Sequence, residues 1–393
     1  MIRVLSLSTL FPSAARPGFG LFVARQMEAV VREGLAEVVM VHPIAQAPPP
    51  FHRLFNSAAE RALPASAQDR GMTVHYPRFT TIPRFGARLN PAMIARAVLP
   101  LARRLHGERP FDLVDAQFFW PDGPAAARIA AALGLPLSIK ARGSDIHYWG
   151  GIGFARDEMR QAAQQAGALL SVSEALRRDM AALGMTADKI TVHYTGLDHA
   201  RFRPLPRAEA RAACRAIVPD DGRLLVSVGN FIAIKGQALA IEALAAIPGA
   251  RLVLAGKGPD EAALRALAAR LGLADRVHFP GSLAPDVLAT LLAAAEVMIL
   301  PSEREGLANA WIEALACGTP LVIPDAGGAR EVVTAPSAGR IAPREPQAIA
   351  EAVRALLAEP PDQAEVAAHA ARFSWQANAA QLAAHWQRLA RGA

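Results

Sequence analysis

The stretch Ser302-Glu303-Arg304-Glu305-Gly306-Leu307-Ala308-Asn309-Ala310-Trp311-Ile312-Glu313-Ala314-Leu315-Ala316-Cys317-Gly318-Thr319-Pro320 decides how the rest of the chain is read. It follows a buried apolar run, Val297–Leu300, and leads into another, Leu321–Ile323. A strand, a turn, a helix and a second strand in that order form the repeating unit of a parallel α/β sheet. The pattern places Glu305 at the strand-to-helix turn and Glu313 two turns into the helix. At 1.5 Å per helical residue the two carboxylates would stand roughly 12 Å apart, enough to grip both ends of one bound ligand. The helix start between them carries free N–H groups suited to an anion.

The spacing alone carries little weight. Glu351 and Glu359 repeat it within a polar helix that ends in Pro360-Pro361, and they read as solvated surface. Glu305 and Glu313 differ in lying at the carboxyl end of a predicted parallel strand, where such sheets bind ligands.

Working outward, strands are predicted at Arg3–Ser8, Val38–Val41, Leu113–Ala116, Leu137–Lys140, Ala168–Val172 and Ile190–His193, with a helix from about Leu21 to Glu33. Residues 44–71, rich in Pro and Ala, read as a long loop with a short helix. Met1 to Phe11 reads as an opening strand rather than a leader cleaved near Ala14-Ala15. The segment Thr195–Asp221, with Pro204, Pro206 and Pro219, reads as an interdomain connection. The pattern then restarts, with strands at Leu224–Val228, Arg251–Leu254, Val277–Phe279, Val297–Leu300 and Leu321–Ile323. Three helical segments close the chain. In the last, Trp375, Leu382, Trp386 and Leu389 fall at helical spacing and read as core. The fold class is α/β, two doubly wound parallel-sheet domains over 1–200 and 201–373, with 374–393 as a terminal helix.

Composition narrows the function. With 393 residues, 52% hydrophobic and 20% charged, the chain suits two packed domains. Cys214 and Cys317 stand far apart, with no zinc or disulfide spacing. No apolar run reaches the ~20 residues of a membrane span. The net charge of +7 is concentrated before residue 200. Arg78, Arg84, Arg88, Arg96, Arg103, Arg104 and Arg109 cluster there, partly on a basic amphipathic helix over Pro91–Leu105. That favours an anionic membrane face over an ordinary solvated helix. Nucleic acid is disfavoured, because exposed aromatics are not interleaved.

Lys occurs only at 140, 189, 235 and 257 among 42 basic residues. A Lys in a Gly-containing turn is therefore a chemical choice. Val228-Gly229-Asn230-Phe231-Ile232-Ala233-Ile234-Lys235-Gly236 sets Lys235 at a helix start, where it can neutralise a diphosphate. Leu254-Ala255-Gly256-Lys257-Gly258-Pro259 is a weaker Gly-x-Gly turn, and no dinucleotide fingerprint follows the first strand. Lys140-Ala141-Arg142-Gly143-Ser144-Asp145 puts a cation, a glycine and a carboxylate at a strand end. The loop with Gly18 and Gly20 can approach a ligand closely.

Together these residues resemble the retaining glycosyltransferases of family 4, with a GT-B fold, over nearly the whole chain. A bacterial polysaccharide-assembly subgroup is similar in Phe118-Phe119-Trp120-Pro121-Asp122-Gly123, Arg142-Gly143-Ser144-Asp145-Ile146 and Val228-Gly229-Asn230. The resemblance implies an acceptor-binding first domain, a donor-binding second domain and a last helix crossing back to the first. Lys235 and Glu305 would carry the catalytic burden. Lys235 would hold the donor diphosphate, Glu305 the sugar hydroxyls and Glu313 the ribose. The backbone of Gly306, Leu307, Ala308 and Asn309 would hold sugar and phosphate, near Gly229 and Asn230. Loops at Gly256, Gly258, Gly281 and Ser282 would frame the nucleobase. Gly18, Gly20, Arg142 and Asp145 would face the acceptor. The partners implied are a nucleotide-sugar donor, UDP- or GDP-linked, and a saccharide or lipid-linked saccharide. No metal or other cofactor is expected, and no Asp-x-Asp occurs. The implied place of work is the cytoplasm or the cytoplasmic membrane face. Asn230 stands where many relatives carry Arg, Arg142 where many carry His, and Thr195-Gly196-Leu197-Asp198 replaces the commoner Asn-Gly-Val-Asp. The alternatives are a silent nucleotide-sugar-binding scaffold, or an epimerase or phosphorylase on the same plan.

Overall fold

The computed structural model describes residues 1–48, 51, 56–82, 86–218 and 222–392. Arg84, Pro219 and Asp221 lie outside them. The chain divides into two compact units, Met1–Gly196 with Trp375–Ala393, and Leu197–Ser374.

The first unit contains β1 (Arg3–Leu7), β2 (Glu37–Val41), β3 (Ile44–Gln46), β4 (Ser66–Asp69), β5 (Met72–His75), β6 (Arg78–Thr80), β7 (Leu113–Ala116), β8 (Leu137–Lys140), β9 (Ala168–Ser171) and β10 (Ile190–Val192). Eight of them form one sheet in the order β10-β9-β8-β7-β1-β2-β5-β4. Every pairing is parallel except β4 with β5. The central strands are buried on both faces, so they read as unbroken apolar runs. The helix Leu21–Arg32 starts at Gly20 and buries Val23, Ala24, Met27 and Val30 at helical spacing. The last helix, Trp375–Arg391, returns to this unit and packs Leu382 and Trp386 into the same core. The indole Nε1 of Trp386 donates to Asp115 Oδ1 at 3.0 Å.

The segment 44–71 corrects the expectation of a loop, since β3, the helix Ala58–Arg61 and β4 lie within it. β4 is polar and partly exposed, so it gives no apolar alternation. Its hairpin to β5 turns on Arg70 and Gly71, both with positive φ, the geometry that matches strand twist in a two-residue turn.

The second unit contains β11 (Arg223–Val228), β12 (Ala250–Ala255), β13 (Val277–Gly281), β14 (Val297–Ile299), β15 (Leu321–Ile323) and β16 (Gly339–Ile341). They form an all-parallel sheet in the order β13-β12-β11-β14-β15-β16. The order reverses at β11, which pairs with β12 on one side and β14 on the other. The loops leaving β11 and β14 therefore emerge side by side, at the crevice where doubly wound sheets take ligands. β16 escaped the sequence reading because it is three residues long and starts with glycine. At Gly339 (φ +141°) a side chain would strike the carbonyl of Leu321.

The basic helix is Asn90–Glu108, longer than expected, and it buries Ile94, Val98, Ala102 and Leu105. Several of its cluster's arginines are already engaged. Arg104 pairs with Glu108 at 2.7 Å and Arg109 with Glu37 at 2.5 Å. Arg78 donates to the carbonyls of Glu60, Arg61 and Leu63. Among the described residues no helix is long and apolar enough to cross a membrane.

Candidate functional site

Two loops meet at the reversal point of the second sheet. The first leaves β11 through Gly229, passes a short 3-10 turn at Ala233–Lys235, and enters the helix Gln237–Leu244. The second leaves β14 at Pro301 and reaches the helix Asn309–Ala316. Gly236 (φ +70°) joins them, because any side chain there would collide with the Pro301 carbonyl. A backbone bond from Glu303 N–H to the Ile234 carbonyl, 2.7 Å, fixes the contact. Lys235 Nζ consequently donates to Glu305 Oε1 at 2.6 Å, with Glu305 only 9% exposed. The sequence separates these residues by seventy positions, and the fold makes them an ion pair.

The helix begins at Asn309, between the two glutamates as read, but this puts Glu313 one turn into it rather than the two turns expected. Glu305 through Ala308 form a buried loop, so the helical rise separates only Asn309 from Glu313, about 6 Å. A third loop, after β15, explains the difference. Gly328 N–H donates to the Gly306 carbonyl at 2.9 Å. At Gly327 (φ +53°) a side chain would collide with the Glu305 carbonyl. These backbone contacts hold the Glu305–Gly306 peptide groups in a non-helical path. The sequence marked this loop only by the pair Gly327-Gly328. Arg344, whose Nε donates to the Pro301 carbonyl at 2.9 Å, also went unnoticed.

No side chain caps the helix at Ala308, and its first turn carries no acid. Its leading N–H groups and positive dipole end are therefore available to an anion. Glu313, half-buried, stands one turn further along. The hydroxyl of Ser302, fully buried beside this loop, has no hydrogen-bond partner among the described residues.

The glycines of the neighbouring loops pack backbone on backbone. At Gly256 a side chain would collide with the Gly229 carbonyl, and at Gly258 with the Phe231 backbone. Gly229 N–H donates to Ala255 O at 3.0 Å, and Gly256 N–H to Gly281 O at 3.0 Å. Gly229, Gly256, Gly258 and Gly281 thus gather at the ends of β11, β12 and β13. Asn230 and Ser282 lie exposed beside them. Glu351 and Glu359 are exposed, as their polar surroundings suggested.

In the first unit the residues expected at an acceptor behave differently from one another. Asp145 is fully buried, and its oxygens accept from the backbone N–H groups of Phe119, Arg142, Gly143 and Ile146 at 2.8–3.1 Å. Burial raises its pKa, while the four donors work against the rise. Its carboxylate ties the loop after β8 to the loop after β7. Arg142 is half-buried, and burial lowers its pKa to about 10. Its Nε donates to the Gln117 carbonyl at 2.7 Å, and its guanidinium lies over the Phe22 ring at 4.9 Å. Gly18 faces open space, whereas Gly20 (φ +67°) makes room for the backbone of Leu10. Lys140 is fully buried in β8, donating to Gln26 Oε1 at 3.1 Å and lying 2.7 Å from His193 Nδ1.

Comparison with known proteins is consistent with this geometry. Residues 18–201 match the family described as "Glycosyltransferase Family 4", and residues 215–373 match "Glycosyl transferases group 1". The chain is 28% identical over 373 residues to the putative teichuronic acid biosynthesis glycosyltransferase TuaC of Bacillus subtilis, covering 90% of this chain and 88% of that one. Sucrose-phosphate synthase from Thermosynechococcus elongatus superposes with a TM-score of 0.81 at 21% identity, over 100% of both chains. Anabaena Alr3699/HepE in complex with UDP superposes with a TM-score of 0.76 at 21% identity, over 99% of this chain and 100% of that one. With both halves matched and both sheets of the doubly wound type, the chain belongs to the family 4 type of glycosyltransferases and has the GT-B fold.

Proposed function

We propose that this glycosyltransferase moves a hexose-type sugar, with retention, from a UDP- or GDP-linked donor to a hydroxyl of a saccharide or lipid-linked saccharide in bacterial cell-surface polysaccharide synthesis. The observation that carries the reading is the Lys235–Glu305 pair beside an uncapped helix start. The carboxylate aims the ammonium, and a donor diphosphate would complete its coordination. The leading N–H groups of Asn309–Ala316 would take the remaining phosphate charge. As the sugar–phosphate bond breaks, negative charge grows on the leaving diphosphate, where fixed cations and dipoles lower the barrier most. In same-face transfer that diphosphate also accepts the acceptor proton. Glu305 and Glu313 then bind hydroxyls and attack nothing, and no metal is required. The TuaC likeness and the UDP held by the Anabaena neighbour support the polymer context and the donor type.

A thermal-shift screen with UDP, GDP, ADP and their sugar conjugates tests the donor. Stabilisation by none of them would remove the reading. The exposed Arg88, Arg96 and Arg103, with Leu89 56% exposed, support docking on an anionic membrane from the cytoplasmic side. Flotation with phosphatidylglycerol vesicles should carry the protein at low salt and release it at high salt. Binding indifferent to salt would count against the docking.

A further inference from the structure

The first unit carries a half-open cavity of about 450 Å³ at the carboxyl ends of β1 and β2. Thr9 and Leu10 follow β1, and His42 and Pro43 follow β2. The first sheet reverses its order between β7 and β1, so the cavity lies next to that crevice, on its β2 side, with Pro121 from the loop after β7 on its wall. Its apolar walls include Phe19, Ile44, Phe79 and Pro121.

Four polar side chains give it chemical character. His42 is 6% exposed. Its Nδ1 lies 2.8 Å from the Ser8 carbonyl oxygen, which can only accept, so the ring proton sits on Nδ1. Nε2 is then a bare lone pair, and no bond to it exists among the described residues. Rings of Phe11 and Tyr76, centroids 6.2 and 6.0 Å away, hold the imidazole in place. Asn90 accepts from Thr81 Oγ1 at 2.8 Å, which leaves its amide N–H groups to donate. Arg16 lies over Phe19 at 3.9 Å and makes no ion pair among the described residues. Glu60 gives one oxygen to Ser57 N–H at 3.0 Å and keeps the other. The positive Arg16 and the negative Glu60 cancel, and His42 is neutral.

Donors and acceptors in balance over apolar walls match vicinal hydroxyls, each of which both donates and accepts. An anion would meet Glu60 and the Nε2 lone pair. A wholly apolar ligand would leave His42 and Asn90 unmatched. We propose that this cavity seats one uncharged pyranose ring of the acceptor, with His42 Nε2 accepting from a ring hydroxyl and Asn90 and Arg16 donating to its neighbours. The proposal rests on the glycosyltransferase reading and specifies the class of its acceptor.

The test titrates the full chain, labelled with ¹⁵N, with methyl β-D-glucopyranoside, methyl β-D-galactopyranoside and methyl α-D-mannopyranoside. Methyl β-D-glucuronide and glucose 1-phosphate form the anionic arm. At least one uncharged glycoside should move the His42 Nε2 resonance saturably. Asn90→Ala should weaken that glycoside about tenfold, the value of one hydrogen bond, while the UDP thermal shift is unchanged. Uncharged glycosides that leave His42 unmoved, or anionic sugars that bind at least tenfold more tightly, would overturn the proposal. A UDP response without any sugar response at His42 would sink the cavity proposal alone. A sugar response without any nucleotide response would sink the nucleotide-donor reading and keep the cavity as a sugar site.

Discussion

Lys235 and Glu305 meet at 2.6 Å because the loops that carry them leave adjacent strands, β11 and β14, at the point where the sheet reverses its order. The pair joins a cation to the carboxylate that orients it, and the first prediction concerns how the two act together. Lys235→Ala should lower kcat by about 10²–10³, the usual loss when one fixed stabiliser of transition-state charge is removed. Glu305→Gln should cost less than Glu305→Ala, since the amide retains hydroxyl contacts. The double variant should lose far less than the sum, because the residues form one unit. Steady-state transfer kinetics check this, and additive losses would separate the two roles.

Gly327→Ala should disrupt the site without touching a ligand. The added methyl collides with the Glu305 carbonyl at a left-handed backbone position. The variant should lose roughly 2 kcal/mol or more of stability and most of its transfer activity. Urea melts of the variant and the parent measure the first effect. Unchanged stability would mean that the loop is not held as described.

Ala308→Asp should stabilise and impair at once. An aspartate at this position caps the helix Asn309–Ala316 and neutralises its positive end, a gain of about 1 kcal/mol. The same N–H groups would then be denied to a diphosphate. A higher melting temperature together with a weaker UDP shift is the expected pair of results. A stronger UDP shift would show that the helix end does not bind phosphate.

His385 gives a pH prediction for the first unit. Burial, with smaller contributions from Arg388 and Lys140, lowers its pKa from 6.5 to about 4. Stability gained from the neutral ring is complete above the unfolded value of 6.5 and is lost as pH falls towards 4. Asp122, pushed up to about 7 by burial, acts in the opposite direction, so the check must be a difference. Destabilisation by His385→Asn should be smaller at pH 4.5 than at pH 7.5 by up to about 3 kcal/mol. Equal destabilisation at both values would place the pKa elsewhere.

The central strands were legible in the sequence because burial on both faces makes them continuous apolar runs. β15 was placed to the residue, and β7 and β8 likewise. β4 and β16 were not, since one is polar at a sheet edge and the other is three residues long with a leading glycine. Lys235 stood out through the scarcity of lysine, and Glu305 through its position after a strand. Local sequence placed the helix start between the two glutamates but did not fix it at Asn309, because the Gly327-Gly328 loop that holds Glu305 and Gly306 lies some twenty residues further on. His42 was missed for a related reason. Nothing near it in sequence shows that it lines a cavity formed by loops after two different strands.

The path of the chain through its two units has a consequence for biosynthesis. Residues 197–374 are an uninterrupted segment inserted into a unit that begins before them and resumes after them. During vectorial translation the inserted unit is complete while its host still lacks Trp375–Arg391. Until that helix arrives, the groove for Leu382 and Trp386 stays open, and Asp115, buried in β7, waits for its indole donor. The unit made first is therefore the one finished last, and the nascent chain carries an uncovered apolar groove for the whole interval.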